Sequence, residues 1–127
     1  MRTSSFTAAA ALAALGLAAT AARAAPAGDA ARGEAAFDDR CSQCHTLGAP
    51  NQGPDLIGVV GRKAGAAPGF PYTAALKASG LTWTPANLER FLANSAAMVP
   101  GTAMNVDVPS ASERRDIVAY LATKTAH

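Results

Sequence analysis

The sequence predicts a single domain built of α-helices and long loops. A chain of 127 residues is too short for two domains with separate cores, and helix-start signals precede its apolar stretches. It shows no alternation of strands with helices. Although 50% of the residues are hydrophobic, only 6% are aromatic, and much of the hydrophobic fraction is alanine near the N-terminus. We therefore expect the core to need a non-protein group to fill it.

The first predicted helix runs from an N-cap at Asp29 to Arg40, with Gly33 and Phe37 on one face. It leads directly into a segment that contains both cysteines. After that segment, residues 46–71 contain six glycines and four prolines without periodicity, which indicates an extended loop. A loop of this length is unusual in a compact domain unless it wraps around a ligand.

Two more helices are predicted beyond this loop. A short one is expected between Tyr72 and Ser79. The next begins at Thr84 and Pro85, which form an N-cap followed by a first-turn proline. The apolar face of this longer helix consists of Leu88, Phe91 and Leu92.

The last predicted helix begins at a capping box. Ser110 and Glu113 have the spacing of this motif, and the helix is expected to continue to about Lys124. Its apolar face consists of Ile117, Tyr120 and Leu121.

Residues 1–24 are predicted to be a signal peptide for export. Arg2 precedes an uncharged run over residues 4–22 that is rich in alanine and leucine, and small residues follow it. We expect cleavage after residue 24, with cleavage after Ala27 as the alternative, which leaves one domain over residues 25–127. The run is short and weakly apolar, so we expect no stable membrane insertion after cleavage; an uncleaved anchor is the alternative.

Cleavage would leave the chain nearly neutral. The precursor has 11 basic and 9 acidic residues and a pI of about 8.8. Removal of residues 1–24 takes away Arg2 and Arg23, which leaves 9 residues of each sign. A nucleic-acid-binding protein needs surplus positive charge, so we expect no nucleic-acid partner.

Both cysteines lie in one short motif. Cys41-Ser42-Gln43-Cys44-His45 is C-x-x-C followed directly by histidine, the pattern of covalent c-type haem attachment. Two thiols about one helical turn apart can each form a thioether with a haem vinyl group. The next residue, His45, can then present its imidazole to the iron.

Other uses of the cysteine pair are less consistent with the chain. A disulfide is the default for two cysteines in an exported protein. A thioredoxin-like dithiol needs a strand-then-helix setting that is not predicted here. A zinc site needs four ligands, and the chain offers only Cys41, Cys44, His45 and His127.

The residue types leave the second axial ligand of the iron open. His127, Met98 and Met104 are the candidates, and the position could also be vacant. His127 ends the chain, where a frayed tail is expected. The two methionines flank Pro100 and Gly101, which impose a turn. A methionine on such a turn can point inward, although filling a core gap is the commoner role of this residue.

Five further motifs follow C-x-x-C-H along the chain. They are Gly53-Pro54-Asp55-Leu56, Gly61-Arg62-Lys63-Ala64-Gly65, Tyr72-Thr73-Ala74-Ala75, Trp83 and Pro100-Gly101-Thr102-Ala103-Met104. Over roughly residues 28–124 the chain resembles the class I cytochromes c, especially short mitochondrial-type members and their bacterial relatives. The resemblance implies the cytochrome c fold, with three main helices, a short helix and long loops wrapped around one covalently bound haem. The first and last helices cross in this family, and the residues expected at the crossing are Gly33, Phe37, Ile117 and Tyr120.

The resemblance also implies roles for single residues. Met104 ends the family's P-G-T-x-M segment and is implied as the sixth iron ligand, with His45 as the fifth. Pro54 is implied to present its carbonyl to the outer ring nitrogen of His45. Donors to the haem propionates are implied at Arg62, Tyr72, Trp83 and Thr102. With both axial positions filled, the implied chemistry is the exchange of one electron.

The chain departs from the family pattern at several positions. Ala103 stands where mitochondrial members carry lysine, and the usual ring of lysines around the haem edge is missing. Charge steering of partners should therefore be weak. Phe91 stands where the family often has tyrosine, and Leu76 replaces an asparagine. These two changes predict an apolar pocket near the methionine sulfur.

We therefore expect a soluble periplasmic c-type cytochrome that carries one electron between partners of a respiratory or related electron-transfer chain. It would be a monomer, not an enzyme, and would meet its redox partner proteins transiently. One alternative is a dedicated haem c subunit of a specific dehydrogenase or oxidase. Another is a haem enzyme or gas sensor with an open iron site.

Overall fold

A computed structural model describes residues 27–126, and within that range the regular structure is helical. The helices are α1 (Ala30–Arg40), α2 (Ala74–Ala78), α3 (Pro85–Ala93), α4 (Ser95–Met98) and α5 (Ala111–Ala122). In the described range, extended pairing is limited to one isolated antiparallel bridge between Lys63 and Thr82. The all-α prediction is therefore confirmed. The signal peptide predicted for residues 1–24 and the terminal His127 lie outside the described residues.

The predicted helix starts are formed by side-chain caps. The Asp29 carboxylate accepts a hydrogen bond from the backbone N–H of Arg32 at 2.8 Å. The Thr84 hydroxyl accepts one from Asn87 N–H at 3.1 Å, and Pro85 follows it at the first helical position. These bonds satisfy N–H groups that have no partner within the first turn of a helix.

The capping box of α5 is only half formed. Ser110 accepts a hydrogen bond from Glu113 N–H at 3.3 Å, as the motif predicts. The Glu113 carboxylate does not return to Ser110, because it accepts a bond from Arg40 Nε at 2.7 Å instead. The carboxylate therefore links the end of α1 to the start of α5.

Two helix boundaries differ from the sequence prediction, and one short helix was not predicted. The short helix α2 begins after an N-cap at Thr73, so Tyr72 lies outside it. The last helix ends at Ala122, and Thr123 caps it by donating its hydroxyl to Tyr120 O at 2.6 Å. Helix α4 was not predicted; the Asn94 side chain caps it by accepting a bond from Ala97 N–H at 3.0 Å.

Helices α1 and α5 cross at Gly33. A Cβ atom at this position would overlap the carbonyl oxygen of Asp116, so the two backbones can approach only because residue 33 is glycine. One turn farther along, the rings of Phe37 and Tyr120 pack with their centroids 5.5 Å apart. Ile117 is 1% exposed on the same helix as Tyr120. The crossing expected from the sequence is therefore present.

A buried carboxylate adds a polar link to this crossing. Asp116 accepts hydrogen bonds from Arg32 Nε at 2.8 Å and from Asp29 N–H at 2.7 Å. The bond from the Arg32 guanidinium, followed by that from the Asp29 amide, lowers the pKa of Asp116. The carboxylate thus stays ionised and joins the start of α1 to the middle of α5.

The core formed by these helices surrounds a cavity. Trp83, Leu88, Phe91, Ile117 and Leu121 are all buried, and all of them also line the cavity. Among residues 27–126, the structure contains no helix of the length and hydropathy needed to cross a bilayer.

We predict that Gly33→Ala destabilises the holoprotein by about 1–3 kcal/mol, the usual cost of overpacking a filled interface. The new methyl group must push α1 away from α5 because it meets backbone atoms, which cannot rotate aside. Helix propensity alone predicts the opposite sign, a gain of about 1 kcal/mol. Urea denaturation of both proteins measures the difference in free energy of unfolding.

Ala35→Gly is the matched control, because Ala35 is exposed on the same helix. It should lose only the propensity difference of about 1 kcal/mol. A Gly33→Ala protein as stable as the parent would show that the two helices are not held at contact distance.

Candidate functional site

The residues named from the sequence meet in one place. A cavity of about 330 Å³ lies between the helices and two loops, residues 46–71 and residues 99–110. This volume falls in the range of roughly 300–1,000 Å³ that is typical of ligand and cofactor sites. The predicted site residues that line it are Cys41, Cys44, His45, Pro54, Arg62, Tyr72, Trp83, Thr102 and Met104.

The C-x-x-C-H segment forms a tight turn at the end of α1. Helix α1 ends at Arg40, and the N–H groups of Cys41 and Ser42 both bond to Phe37 O. The N–H groups of Cys44 and His45 then bond to Cys41 O, at 3.1 and 2.9 Å. This turn brings both thiols to the cavity wall, and they are not joined as a disulfide.

The surroundings of Cys41 favour an uncharged sulfur. Burial raises the pKa of its thiol to about 11, because the ionised form loses its hydration. A thiolate is therefore disfavoured at neutral pH. A thioether is uncharged at every pH, so the site fits a sulfur that is covalently bonded to an apolar group.

The imidazole of His45 is held in a defined orientation. Its Nδ1 lies 2.9 Å from the carbonyl oxygen of Pro54, which can only accept a hydrogen bond. Nδ1 must therefore carry the proton, and the Nε2 lone pair is left for a metal.

The backbone at Gly53 packs directly against this ring. A Cβ atom there would overlap the imidazole carbons and nitrogens of His45. The amide N–H of Gly53 donates to Cys44 O at 2.7 Å, which fixes the loop against the C-x-x-C-H turn. Glycine is therefore required at this position for the ring to keep its orientation.

The two candidate methionines lie in different places. Met104 lines the cavity that also holds His45. Met98 instead lines a second, smaller pocket together with Leu81 and Val99. The structure therefore brings Met104, and not Met98, into the group of predicted site residues.

The backbone around Met104 is fixed by hydroxyl groups on both sides. Its N–H donates to the Thr102 hydroxyl at 3.3 Å, and its carbonyl accepts a bond from the Ser95 hydroxyl at 2.7 Å. Ser95 was not singled out from the sequence, because a serine in a non-periodic stretch carries no signal of a contact nine residues away.

The hydrogen bonds of Arg62 show whether the cavity has a free donor for a propionate of the expected haem. Its two terminal nitrogens donate to Asp55 O at 2.8 Å and to Ile57 O at 3.1 Å. Its Nε is buried and has no hydrogen-bond partner among the described residues. A buried donor without a partner is costly, so this wall of the cavity fits an acceptor such as a propionate.

Two further hydroxyl groups can serve the same acceptors. The Tyr72 hydroxyl oxygen accepts a bond from Ala67 N–H at 3.2 Å, which leaves its own proton free to donate. The Thr102 oxygen accepts from Met104 N–H and likewise keeps its proton available. Trp83 is buried on the same cavity, where its indole can also donate.

The remaining wall is apolar. Leu76 and Phe91 both line the cavity, as the departures at these positions predict. The rings of Phe91 and Trp83 pack with their centroids 5.0 Å apart. The donors, the two thiols and the apolar wall together fit a mainly apolar cofactor that carries hydrogen-bond acceptors, as expected for haem c.

Comparison with known proteins places this geometry in a family. The cytochrome c family model matches residues 30–125 of the chain. Cytochrome c2 of Rhodomicrobium vannielii is 46% identical over 101 residues, which cover 76% of this chain and 80% of that protein. Cytochrome c type-1 of Ascaris suum is 41% identical over 97 residues, which cover 74% of this chain and 87% of that protein.

Solved structures agree with the sequence matches. The chain is similar to cytochrome cH from Methylobacterium extorquens with a TM-score of 0.74 and 47% identity, covering 76% of this chain and 100% of that one. It is also similar to cytochrome c2 from Rhodospirillum centenum with a TM-score of 0.74 and 38% identity, covering 78% of this chain and 100% of that one. The expected fold is therefore confirmed.

We predict that Gly53→Ala changes the electronic properties of the His45 site as well as stability. The new Cβ must displace the imidazole and break its bond to Pro54 O, which makes the ring a weaker electron donor. The reduction potential of the holoprotein should rise, and its free energy of unfolding should fall by about 1–3 kcal/mol. Redox titration and urea denaturation measure the two effects.

Gly48→Ala is the control for loss of a loop glycine. Gly48 has a φ of +102° and nothing near its missing side chain, so its replacement strains the backbone without touching His45. It should lower stability and leave the potential unchanged. Equal potentials in both variants would contradict the claim that close contact with Gly53 keeps the His45 ring in its orientation.

Proposed function

The chain belongs to the cytochrome c family, and from this premise we propose that it is a soluble periplasmic carrier of single electrons between redox proteins of a respiratory or related chain. Its fold, its covalent haem c and its class as an electron carrier rather than an enzyme follow from the family. We propose in addition its location, its partners and the roles of single residues.

The main support for the proposal is that His45 and Met104 line the same cavity. His45 presents Nε2 because Pro54 occupies its other nitrogen, and Met104 presents a thioether from the loop after α4. When bound, haem supplies a one-electron couple, and thioether ligation favours its reduced state more than a second imidazole does. With His45 and Met104 both bound to the iron, no position would remain for an exogenous ligand.

The remaining site residues are proposed to attach the haem covalently and to donate hydrogen bonds to its propionates. Cys41 and Cys44 are proposed to form the two thioethers, since both sulfurs face the cavity and the pKa of Cys41 disfavours its thiolate. The donors proposed for the propionates are Arg62, Tyr72, Trp83 and Thr102. Among these, the buried and unpaired Nε of Arg62 gives the strongest support.

Export to the periplasm is supported by the sequence pattern of residues 1–24. We propose cleavage after residue 24, which leaves a single cytochrome c domain over residues 25–127. Cleavage at this position leaves the whole C-x-x-C-H motif in the mature chain, so that haem can still be attached to it.

Transient contact with partners is supported by the mouth of the cavity. Val106 lines the cavity and is 44% exposed, and it is the one large hydrophobic residue described as exposed within residues 27–126. Its neighbours Ala103 and Asn105 are uncharged. Arg40 also lines the cavity, and its guanidinium is already paired with Glu113 at 2.7 Å. A small, neutral contact surface fits a short-lived complex that forms without strong charge steering.

The decisive test of the function is ligand access to the ferrous holoprotein. We predict that the parent protein binds carbon monoxide negligibly at neutral pH, whereas Met104→Ala binds it promptly because the sixth position becomes vacant. The potential of Met104→Ala should also fall, since the thioether no longer stabilises the reduced state. Optical spectra with and without dithionite and carbon monoxide measure both effects.

Met98→Ala is the matched control, because Met98 lies in the second pocket. It should behave as the parent does. Prompt carbon monoxide binding by the parent would indicate an open-site haem protein, and binding by Met98→Ala alone would show that the ligand has been misassigned.

We further predict that charge contributes little to partner encounter. The rates of oxidation by one anionic and one cationic small-molecule oxidant should both stay nearly constant between about 0.01 and 0.1 M salt, although the Debye length shortens from about 30 to about 10 Å. Stopped-flow kinetics on the processed holoprotein measure these rates. A steep fall with the anionic oxidant would reveal a positive docking patch and contradict this part of the proposal.

A further inference from the structure

Ser95 is a buried polar residue that the haem site does not use directly. It is the first residue of α4, is 1% exposed and is among the most deeply buried side chains of residues 27–126. Its hydroxyl donates to the carbonyl oxygen of Met104 at 2.7 Å. The buried hydroxyl thus bonds directly to the backbone of the proposed iron ligand.

Asp107 completes the contact from the far side of the same loop. Its Oδ1 accepts the backbone N–H of Ser95 at 3.1 Å and lies 3.5 Å from the Ser95 hydroxyl. The hydroxyl has one proton, and the shorter contact to Met104 O takes it. Ser95 therefore makes two hydrogen bonds to this loop. Its hydroxyl donates to Met104 O, and its backbone N–H donates to Asp107 Oδ1.

Few other polar contacts hold this loop. Thr102 N–H bonds to Val99 O, and Val108 N–H bonds to Leu92 O. Between these two points, the hydrogen bonds that tie the loop to a helix in the described range are those of Ser95. Release of Ser95 would leave the Met104 segment attached only at its ends.

Two apolar residues of the cavity wall cannot replace these hydrogen bonds. Leu76 and Phe91 line the cavity and have no polar atom that could bond to the methionine sulfur. These two side chains therefore cannot position the sulfur by a hydrogen bond, and the contacts made by the Met104 backbone gain weight. Thr102 fixes its N–H and Ser95 fixes its carbonyl.

We propose that Ser95 and Asp107 form a clasp that positions Met104 and so controls how readily its sulfur is displaced from the iron. The inference rests on the proposed function, because it requires Met104 to be the sixth ligand. Ser95 and Asp107 are positioning residues, since they act through the Met104 loop and do not touch the cofactor site themselves.

The experiment is a titration of the ferric holoprotein with imidazole, a small ligand that competes with a methionine sulfur. Ser95→Ala should tighten apparent imidazole binding by about three- to tenfold, the factor that one net hydrogen bond represents. Asp107→Ala should act in the same direction by about two- to threefold. Asp107 is exposed, so this second variant is expected to fold even if the loss of the buried Ser95 hydroxyl is not tolerated.

Ser79→Ala is the matched control. The Ser79 hydroxyl also donates to a backbone carbonyl at 2.7 Å, that of Leu76, but at the end of α2 and outside the Met104 loop. Its loss should lower stability to urea without changing imidazole affinity. Ser95→Thr keeps the hydroxyl and should return the affinity toward the parent value.

The outcomes separate the clasp from the function it rests on. If Met104→Ala binds imidazole no more tightly than the parent, Met104 is not the ligand and the proposed function fails. If Met104→Ala binds more tightly but Ser95→Ala and Asp107→Ala match Ser79→Ala, the ligand assignment stands and the clasp is wrong. If Ser79→Ala shifts the affinity as much as Ser95→Ala does, the effect is general loss of stability and the clasp is also wrong.

Discussion

Apolar side chains from α1, α3 and α5 pack against one another and also line a shared cavity of about 330 Å³. Phe37, Leu88, Phe91 and Ile117 are buried by the fold, yet each has one side on this space. Packed interiors gain dispersion energy only where atoms touch, so a chain with this core is incomplete as a polypeptide. The haem c of the family supplies the missing apolar surface, and its covalent attachment keeps this part of the core from dissociating.

This constraint explains why long irregular segments belong to the core. The helices alone do not close the cavity, so residues 46–71 form part of its wall. The loop is fixed by backbone hydrogen bonds: Gly61 N–H donates to Trp83 O, and Trp83 N–H donates to Arg62 O, both at 2.8 Å. Glycine at position 53 is needed for the same reason, because backbone must touch the His45 ring directly. The conformation of this irregular segment is thus fixed by specific backbone contacts, as that of a helix is.

Features that depend on neighbouring residues could be predicted from the sequence. Asp29, Thr84 and Ser110 cap the helices that follow them because a cap is formed within three residues. The C-x-x-C-H turn and its histidine are equally local. The family resemblance added Pro54 as the partner of His45, and the structure places that contact at 2.9 Å.

Features that depend on distant residues could not be predicted, apart from those that the family resemblance implied, such as the crossing of α1 and α5. Glu113 has the spacing of a capping box, yet Arg40 lies 73 residues earlier in the chain and takes its carboxylate. Helix α4 is too short to show a period, so neither it nor the bond between Ser95 and Met104 has a sequence pattern. The apolar wall at Leu76 and Phe91 leaves polar control of the proposed ligand Met104 to the loops around it, and such contacts arise only when the chain has folded. The residue types of the proposed ligands can therefore be predicted from short motifs, whereas the hydrogen bond that holds the Met104 backbone comes from a buried hydroxyl in a different segment.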